Sequence, residues 1–228
     1  MRRMFFALII GALGLFFTGC LDDDNDTTPV QYFELGMTKV GDADQMQVVT
    51  DSELTLEFAT FPENYEFEAD TRVMVKYSVN ERGEEGDSYD YLVDVYSIQD
   101  VVLKEIIELN EENRDTIGTD QLSINDVWVS GGFLNIDFSF YGTDEVHYFN
   151  LVKDPLEQPD SPNEVNLQIR HDARGDDALS RYRGLMSFYL ESLQVEGEDS
   201  LNLKFPNQGF YAAPFSEIEV DYKYGTTE

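Results

Sequence analysis

The sequence has very few of the residues that most catalytic and metal sites need. Its 228 residues include one cysteine, two histidines and one tryptophan. A single cysteine excludes an internal disulfide and a cysteine-rich metal site, so the fold must be stable through packing alone. Basic residues are also scarce, 15 against 46 acidic ones, and the formal charge is −31. Nucleic acid and anionic lipid surfaces are bound through basic patches, so we expect neither as a direct partner of this chain.

The apolar run near the N-terminus is too short to span a bilayer. Residues 5–17 carry no charge and follow Arg2 and Arg3, whereas a membrane span needs roughly 20 apolar residues. The pattern is typical of a secretory signal peptide, which we predict over residues 1–19. Small residues precede Cys20, as a lipoprotein signal peptidase requires. We therefore predict acylation of Cys20, with palmitate-type chains that attach the mature protein to the outer membrane. A plain secretory signal and an uncleaved anchor are the alternatives.

An acidic stretch directly follows Cys20, and residues 20–36 are predicted to form a flexible tether. The stretch includes Asp22, Asp23, Asp24 and Asp26. One hypothesis is a spacer that is kept extended by its own charge repulsion. The other is a sorting label, because the stretch resembles the acidic export signal that follows the cysteine in surface lipoproteins of Bacteroidota. The label predicts exposure at the cell surface, and a periplasm-facing lipoprotein is the alternative.

From about residue 36 the hydrophobicity of the chain alternates with a period of two. Such alternation predicts β-strands that turn one row of side chains toward a core and the other toward water. The clearest apolar rows are Leu54, Leu56 and Phe58; Val73, Val75 and Tyr77; Leu134, Ile136, Phe138 and Phe140; and Leu201, Leu203 and Phe205. The rows opposite two of them, Arg72, Met74 and Lys76 and Asn135, Asp137 and Ser139, are expected to face water. We therefore predict an all-β protein whose second half is an antiparallel sandwich.

Two segments in the middle of the chain lack a clear strand pattern. Residues 101–112 have apolar residues at helical spacing but are rich in β-branched residues, so both a short helix and an extended piece remain open. Residues 110–120 are acidic and contain Gly118, which favours a linker. We place one domain at residues 37–121 and a second at residues 122–228.

Three stretches together resemble a known family. They are residues 128–136, 167–176 and 187–190, which read WVSGGFLNI, LQIRHDARGD and SFYL. With the lipoprotein signal and the acidic tether, they identify the chain as similar to the NigD-like lipoproteins of Bacteroidota. The resemblance implies a small N-terminal OB-like barrel followed by a C-terminal β-sandwich. Asp172 stands where the family often has Asn. The resemblance implies no catalytic residue and no cofactor.

The same stretches contain the residues that could bind a ligand. Trp128, beside Gly131 and Gly132, could place its indole over a groove, or it could anchor the junction between two domains. His171, Asp172 and Asp176 surround Gly175. Asp172, Asp176 and Asp177 could offer oxygen ligands to Ca²⁺, but their spacing does not match an EF-hand loop, and a turn in which Asp side chains bond to backbone is the simpler interpretation. We predict no metal site.

Composition and motifs favour a non-enzymatic protein. Neither His147 nor His171 lies in a serine-nucleophile or zinc-protease motif. The leading hypothesis is a binding or accessory module that acts on an extracellular ligand or on an envelope protein partner. A hydrolase of an extracellular polymer with a dispersed carboxylate pair is one alternative. A surface component that assembles with itself through strand edges is the other.

Overall fold

The first part of the chain forms a closed five-stranded β-barrel. The computed structural model describes residues 29–206 and 217–224. The strands are β1 (Tyr32–Val40), β2 (Met46–Thr50), β3 (Thr55–Thr60), β4 (Arg72–Arg82) and β5 (Tyr91–Asp100). Neighbouring barrel strands are antiparallel except β3 and β5, and β4 pairs with β1 to close the barrel. This OB-like arrangement agrees with the predicted N-terminal fold.

The second part is a β-sandwich with one four-stranded face. The strands are β6 (Val102–Lys104), β7 (Ile107–Glu108), β8 (Leu122–Ser130), β9 (Phe133–Gly142), β10 (Tyr148–Lys153), β11 (Glu164–Asn166), β12 (Gln168–Asp172), β13 (Ser180–Tyr189), β14 (Ser200–Pro206) and β15 (Glu217–Lys223). The four-stranded face has the order β6-β13-β9-β8, and two three-stranded sheets, β12-β10-β7 and β11-β14-β15, cover its inner side. The all-β prediction and the predicted sandwich are confirmed.

Each part has its own hydrophobic core, and both cores are built from the predicted apolar rows. Period-two alternation puts these rows inside, and a slip by one residue would expose a whole row to water. The barrel core contains Val48, Leu56, Val73, Val75, Tyr77 and Val93. The sandwich core contains Leu134, Ile136, Phe138, Leu151, Leu167, Phe188, Leu203 and Phe205. Within the described residues, no helix has the length and hydropathy that crossing a membrane requires.

The segment between the two cores is extended and pairs with the sandwich. β6 lies parallel to β13, and β7 lies parallel to β10, so the extended alternative for residues 101–112 is the one found. The following turns, interpreted from sequence as a linker, pack on the sandwich: Arg114 binds both carboxylate oxygens of Asp154. Strand pairing therefore changes from barrel to sandwich between Asp100 and Val102. The division at residues 121 and 122 stays a prediction about folding units.

The polar rows expected to face water are partly buried, and this expectation is wrong for four residues. Arg72, Asn135, Asp137 and Ser139 are at most 7% exposed. Strand alternation correctly places them on the outer faces of their sheets. Arg72 and Asn135 are buried because the outer face of the barrel packs against the outer face of the four-stranded sheet and the two side chains meet there. Asp137 and Ser139 are instead hydrogen-bonded to neighbours on their own sheet, Asn125, Arg181 and Arg183.

The guanidinium of Arg72 is the centre of this contact. Its side chain is 0% exposed. On the barrel side, Nη1 and Nη2 donate to Asp51 Oδ1 and Oδ2 at 2.5 and 2.7 Å. On the sandwich side, Nε donates to Ser187 Oγ at 3.2 Å and Nη2 to Asn135 Oδ1 at 3.1 Å. The guanidinium also lies 4.3 Å from the ring centroid of Phe133, in cation–π geometry.

Further hydrogen bonds complete this contact, which we call the Arg72 junction. Ser130 Oγ donates to Asp51 Oδ2 at 2.5 Å, and Ser187 Oγ donates to Asn135 Oδ1 at 2.7 Å. Asn135 Nδ2 donates to Ser130 Oγ at 3.0 Å. A buried charge is tolerable only when it is paired and hydrogen-bonded on every side. Since the partners come from both domains, the arginine is satisfied only when the barrel and the sandwich are in place.

Because Arg72 is central to the junction, removing its guanidinium should lower the stability of the protein strongly. Arg72→Met keeps an apolar stem but leaves Asp51 without its cation, and we expect the free energy of unfolding to fall by about 3–5 kcal/mol. Chemical denaturation measures this. Arg174→Met is the matched control, because Arg174 is 60% exposed and lies 3.8 Å from Asp172; its loss should be about 1 kcal/mol or less. Equal losses in the two variants would contradict the central role of Arg72.

Candidate functional site

A cleft lies beside the Arg72 junction, where the barrel wall and the four-stranded sheet diverge. It encloses about 630 Å³, which is in the range of small-molecule sites. Both domains line it, and such interfaces between domains are common positions for ligands. Because the Arg72 junction fixes the two walls against each other, the shape of the cleft depends on that junction.

The two walls of the cleft are mostly apolar. On the barrel side, Leu35 of β1 pairs with Met74 of β4, and both line the cleft together with Phe33. Phe33 is 63% exposed, so its ring is open to a ligand. On the sandwich side, Trp128 and Leu185 lie on the outer face of the sheet. The cleft therefore offers aromatic and aliphatic surfaces on two sides.

An ion pair on the sandwich side adds polar groups to the cleft. Arg183 Nε donates to both carboxylate oxygens of Asp137 at 2.9 Å, and one Nη also donates to Asp137. Asn125 Nδ2 donates to Asp137 Oδ1 at 2.8 Å. Burial raises the pKa of Asp137, but the hydrogen bonds from Arg183 and Asn125 outweigh it, and the net pKa is lowered. Asp137 is therefore an ionised hydrogen-bond acceptor, not a general acid.

For Trp128 the sequence left two interpretations open, an indole that covers a groove and an anchor at the junction between the domains. Its neighbours Val127 and Val129 pack in the sandwich core, so the indole faces the barrel. It is half-buried at the junction and also lines the cleft. The hydrogen-bonded contact that joins the domains is made by Arg72 and Asp51, and Trp128 is not part of it. Trp128 is thus free to contact a ligand.

His171 and Asp176 come together through His147, at a different place in the sandwich. His147 Nδ1 lies 2.8 Å from His171 Nε2, and His147 Nε2 lies 3.0 Å from Asp176 Oδ2. His171 Nδ1 lies 3.0 Å from the carbonyl oxygen of Gln121. We call this row of groups the histidine row. Burial lowers the pKa of His171, and the hydrogen bond from His147 lowers the pKa of Asp176.

Asp172 and the turn that follows it have backbone partners. Asp172 Oδ1 accepts from Arg174 N at 2.9 Å, and Asp176 Oδ1 accepts from Asp177 N at 2.9 Å. Arg174 and Gly175 have φ values of 56° and 78°, so the chain turns here through the left-handed region. No group of three or more potential metal ligands is present among the described residues.

The lipidation and export predictions concern residues that lie outside the described part of the chain. Cys20 and the acidic cluster of Asp22, Asp23, Asp24 and Asp26 fall in this region. Acylation, surface export and a partnership with the membrane stay predictions from sequence.

A comparison with known protein families finds a match for the second half of the chain. Residues 105–222 match the NigD-like C-terminal beta sandwich domain. The chain belongs to the NigD-like family. The matched region begins just after β6, which agrees with the strand pairing described above. No functionally curated protein matches the chain.

Solved structures of other proteins share the fold of this NigD-like chain. A protein of unknown function from Bacteroides vulgatus is 21% identical with a TM-score of 0.70, over 87% of this chain and 92% of the other. A NigD-like immunity protein from Bacteroides caccae is 18% identical with a TM-score of 0.60, over 84% and 91% of the two chains. At these identities the likeness concerns the fold.

Sequence reasoning missed several important residues of this NigD-like protein. Arg72 and Asp51 were not singled out, and Arg183 and Asp137 were not connected. His147 was tested only against catalytic motifs, and its position between His171 and Asp176 was not predicted. One signal was present: Arg72 begins a strand of high β-propensity, where a long charged side chain is unusual unless a partner meets it.

The glycine pair in the β8–β9 turn gives an internal test of the contact between the domains. A Cβ on Gly131 would lie 2.5 Å from Asp51 Oδ1, whereas one on Gly132 would meet nothing within 4 Å. Both residues have positive φ, 57° and 80°. Gly131→Ala should therefore cost about 2–3 kcal/mol of unfolding free energy and Gly132→Ala about 1 kcal/mol. Thermal and chemical denaturation measure the difference. Equal losses would mean that the turn does not press on Asp51.

Proposed function

We propose that this protein is a non-enzymatic binding protein of the cell envelope, attached by lipid at Cys20, and that its ligand occupies the cleft beside the Arg72 junction. The observation that carries the proposal is the combination, in one open cleft, of the Trp128 indole, apolar walls and the Arg183–Asp137 pair. The apolar run before Cys20 and the acidic stretch after it support attachment to the outer membrane and exposure at the cell surface.

The chemistry of the cleft favours an uncharged ligand rich in hydroxyl groups, such as an oligosaccharide. A sugar ring has an apolar face that can stack on an aromatic side chain, here Trp128 or Phe33. Its hydroxyl groups can accept from the exposed guanidinium of Arg183. No further partner of Arg183 lies among the described residues, so its second Nη is available to a ligand. A polyanion is disfavoured, because the chain has a formal charge of −31.

The hydrolase alternative has less support. A general acid needs a carboxyl whose pKa is raised. The carboxyl groups of Asp137, Glu34 and Asp100 line the cleft. Asp137 has a lowered pKa and is held by Arg183, and Glu34 and Asp100 each accept a hydrogen bond from a tyrosine hydroxyl. The protein in Bacteroides caccae is described as an immunity protein, which makes a protein partner the second candidate for the same cleft. The aromatic surface of Phe33 would serve either ligand.

Binding of neutral oligosaccharides to the full chain tests the proposal. We expect an array of neutral glycans to give at least one ligand. Phe33→Ala and Trp128→Ala should each weaken its binding about tenfold or more, because each removes a stacking surface. Isothermal titration calorimetry measures the affinity. Phe33 is 63% exposed, so its removal should leave the melting temperature nearly unchanged, even if Trp128→Ala lowers it.

Tyr148→Ala is the matched control for the aromatic variants. Tyr148 is 47% exposed and lies on β10, in a sheet on the other side of the sandwich from the cleft. Its variant should bind as the unaltered protein does. If binding is unchanged in Phe33→Ala and Trp128→Ala, the cleft is not the site. Binding of a protein partner with no response to any glycan would favour the second candidate.

A further inference from the structure

The histidine row contains more hydrogen-bonding positions than two neutral imidazoles can fill. Its two ends are oxygen acceptors, the Asp176 carboxylate and the carbonyl of Gln121. Between them lie four ring nitrogens and three short contacts, of 3.0, 2.8 and 3.0 Å. Each contact needs one hydrogen, so the row is complete when the two rings together carry three protons. Two neutral rings carry only two.

The third ring proton gives the imidazole pair one positive charge, and Asp176 balances it. Asp176 is held in place from two other sides, since its Oδ2 accepts from Thr143 N at 2.5 Å and its Oδ1 from Asp177 N. His147 Nε2 faces the Asp176 carboxylate, whereas His171 Nδ1 faces an uncharged carbonyl oxygen, so the geometry assigns the extra proton to His147. His171 then carries its hydrogen on Nδ1, donates to Gln121, and accepts from His147 through Nε2.

A fourth ring proton does not fit this geometry. It would protonate His171 Nε2, which would then point an N–H group at the N–H of His147 across 2.8 Å. Two donors at that distance repel each other, and the pair would carry two positive charges against one Asp176. The rings cannot simply turn away, because Phe149 stacks on His171 at 4.6 Å with planes 12° apart, and Phe140 lies 4.9 Å from His147.

The row joins three connections at one end of the sandwich. His147 precedes β10 in the connection from β9, and Asp176 lies in the connection from β12 to β13. Gln121 belongs to the chain that enters β8, and Asp120 N donates to the carbonyl oxygen of His171 at 2.8 Å. Loss of the row would therefore release this end of the sandwich while the two cores remain.

We propose that the histidine row is an acid-opened latch, closed by a single shared proton between Asp176, His147 and His171 and opened by the uptake of one more. Solvent reaches it through a recess of about 270 Å³, which Asp144, Glu145 and Tyr182 line together with His147. The latch goes beyond the proposed binding function and does not depend on it, because the row contributes no residue to the cleft.

The surrounding charges set the direction of the response. Burial lowers the pKa of His171 more than the neighbouring carboxylates of Asp120 and Asp172 raise it. His171 therefore takes up its second ring proton at a higher pH in the unfolded chain than in the folded chain. The part of the row's stability that depends on a neutral His171 should be present above about pH 6.5, the ordinary imidazole value, and fall as the pH drops below it. Asp176, whose pKa is lowered, would add a second loss only below its ordinary value of about 3.9.

Nitrogen-15 NMR of the full chain tests the latch directly. The sequence contains only two histidines, so every imidazole signal belongs to this row. Near neutral pH we expect three ring N–H protons and a scalar coupling between His147 Nδ1 and His171 Nε2 across their hydrogen bond. Below the imidazole range the coupling should disappear. In the same step, the amide of Thr143, which donates to Asp176, should lose most of its protection from hydrogen exchange after correction for the intrinsic rate.

A variant separates the latch from general acid sensitivity. His171→Gln removes the ring that takes up the fourth proton, and its side-chain amide cannot be protonated in this range. Its Thr143 protection should show no step between pH 7 and 5. The proposal is overturned if the unaltered protein carries only two ring protons near neutral pH, or if a fourth proton binds without change at Thr143. It is also overturned if His171→Gln folds and retains the step.

Discussion

The ion pair between Arg72 and Asp51 is the interaction on which the arrangement of the two domains depends. A fully buried guanidinium is stable only with several partners, and here they come from the barrel, through Asp51, and from the sandwich, through Asn135 and Ser187. The same contact positions the walls of the cleft. Its effect is therefore more than local, because it joins the parts of the chain that contain the two separate hydrophobic cores.

Much of the fold could be predicted from the sequence, because apolar rows with a period of two determine which side of each strand is buried. Leu134, Ile136 and Phe138 lie inside the sandwich as their pattern indicates. The opposite row was misplaced for a physical reason. Alternation distinguishes apolar from polar sides, but it does not show that a second domain covers the polar side, as happens at Asn135. Contacts between domains have no short-range signature.

The candidate sites were predictable only in part. Trp128, with the glycines after it, was predicted either to cover a groove or to anchor a domain junction; the side chain lines the cleft, and Arg72 makes the hydrogen bonds that join the domains. His171 and Asp176 were singled out as neighbours around one turn. Their link through His147, 24 residues before His171, depends on the pairing of β10 with β12. Such long-range contacts follow from strand register, which one sequence does not determine residue by residue.

The central claim is that Arg72 holds the barrel in a fixed orientation against the sandwich, and a distance measurement across the two domains tests it most directly. Spin labels at the exposed positions Glu84 and Glu196, in the full chain with Cys20→Ser, would report the separation by pulsed electron paramagnetic resonance. The account predicts one narrow distance distribution, which broadens clearly in Arg72→Met while circular dichroism shows that the strands persist. An unchanged narrow distribution in Arg72→Met would contradict it.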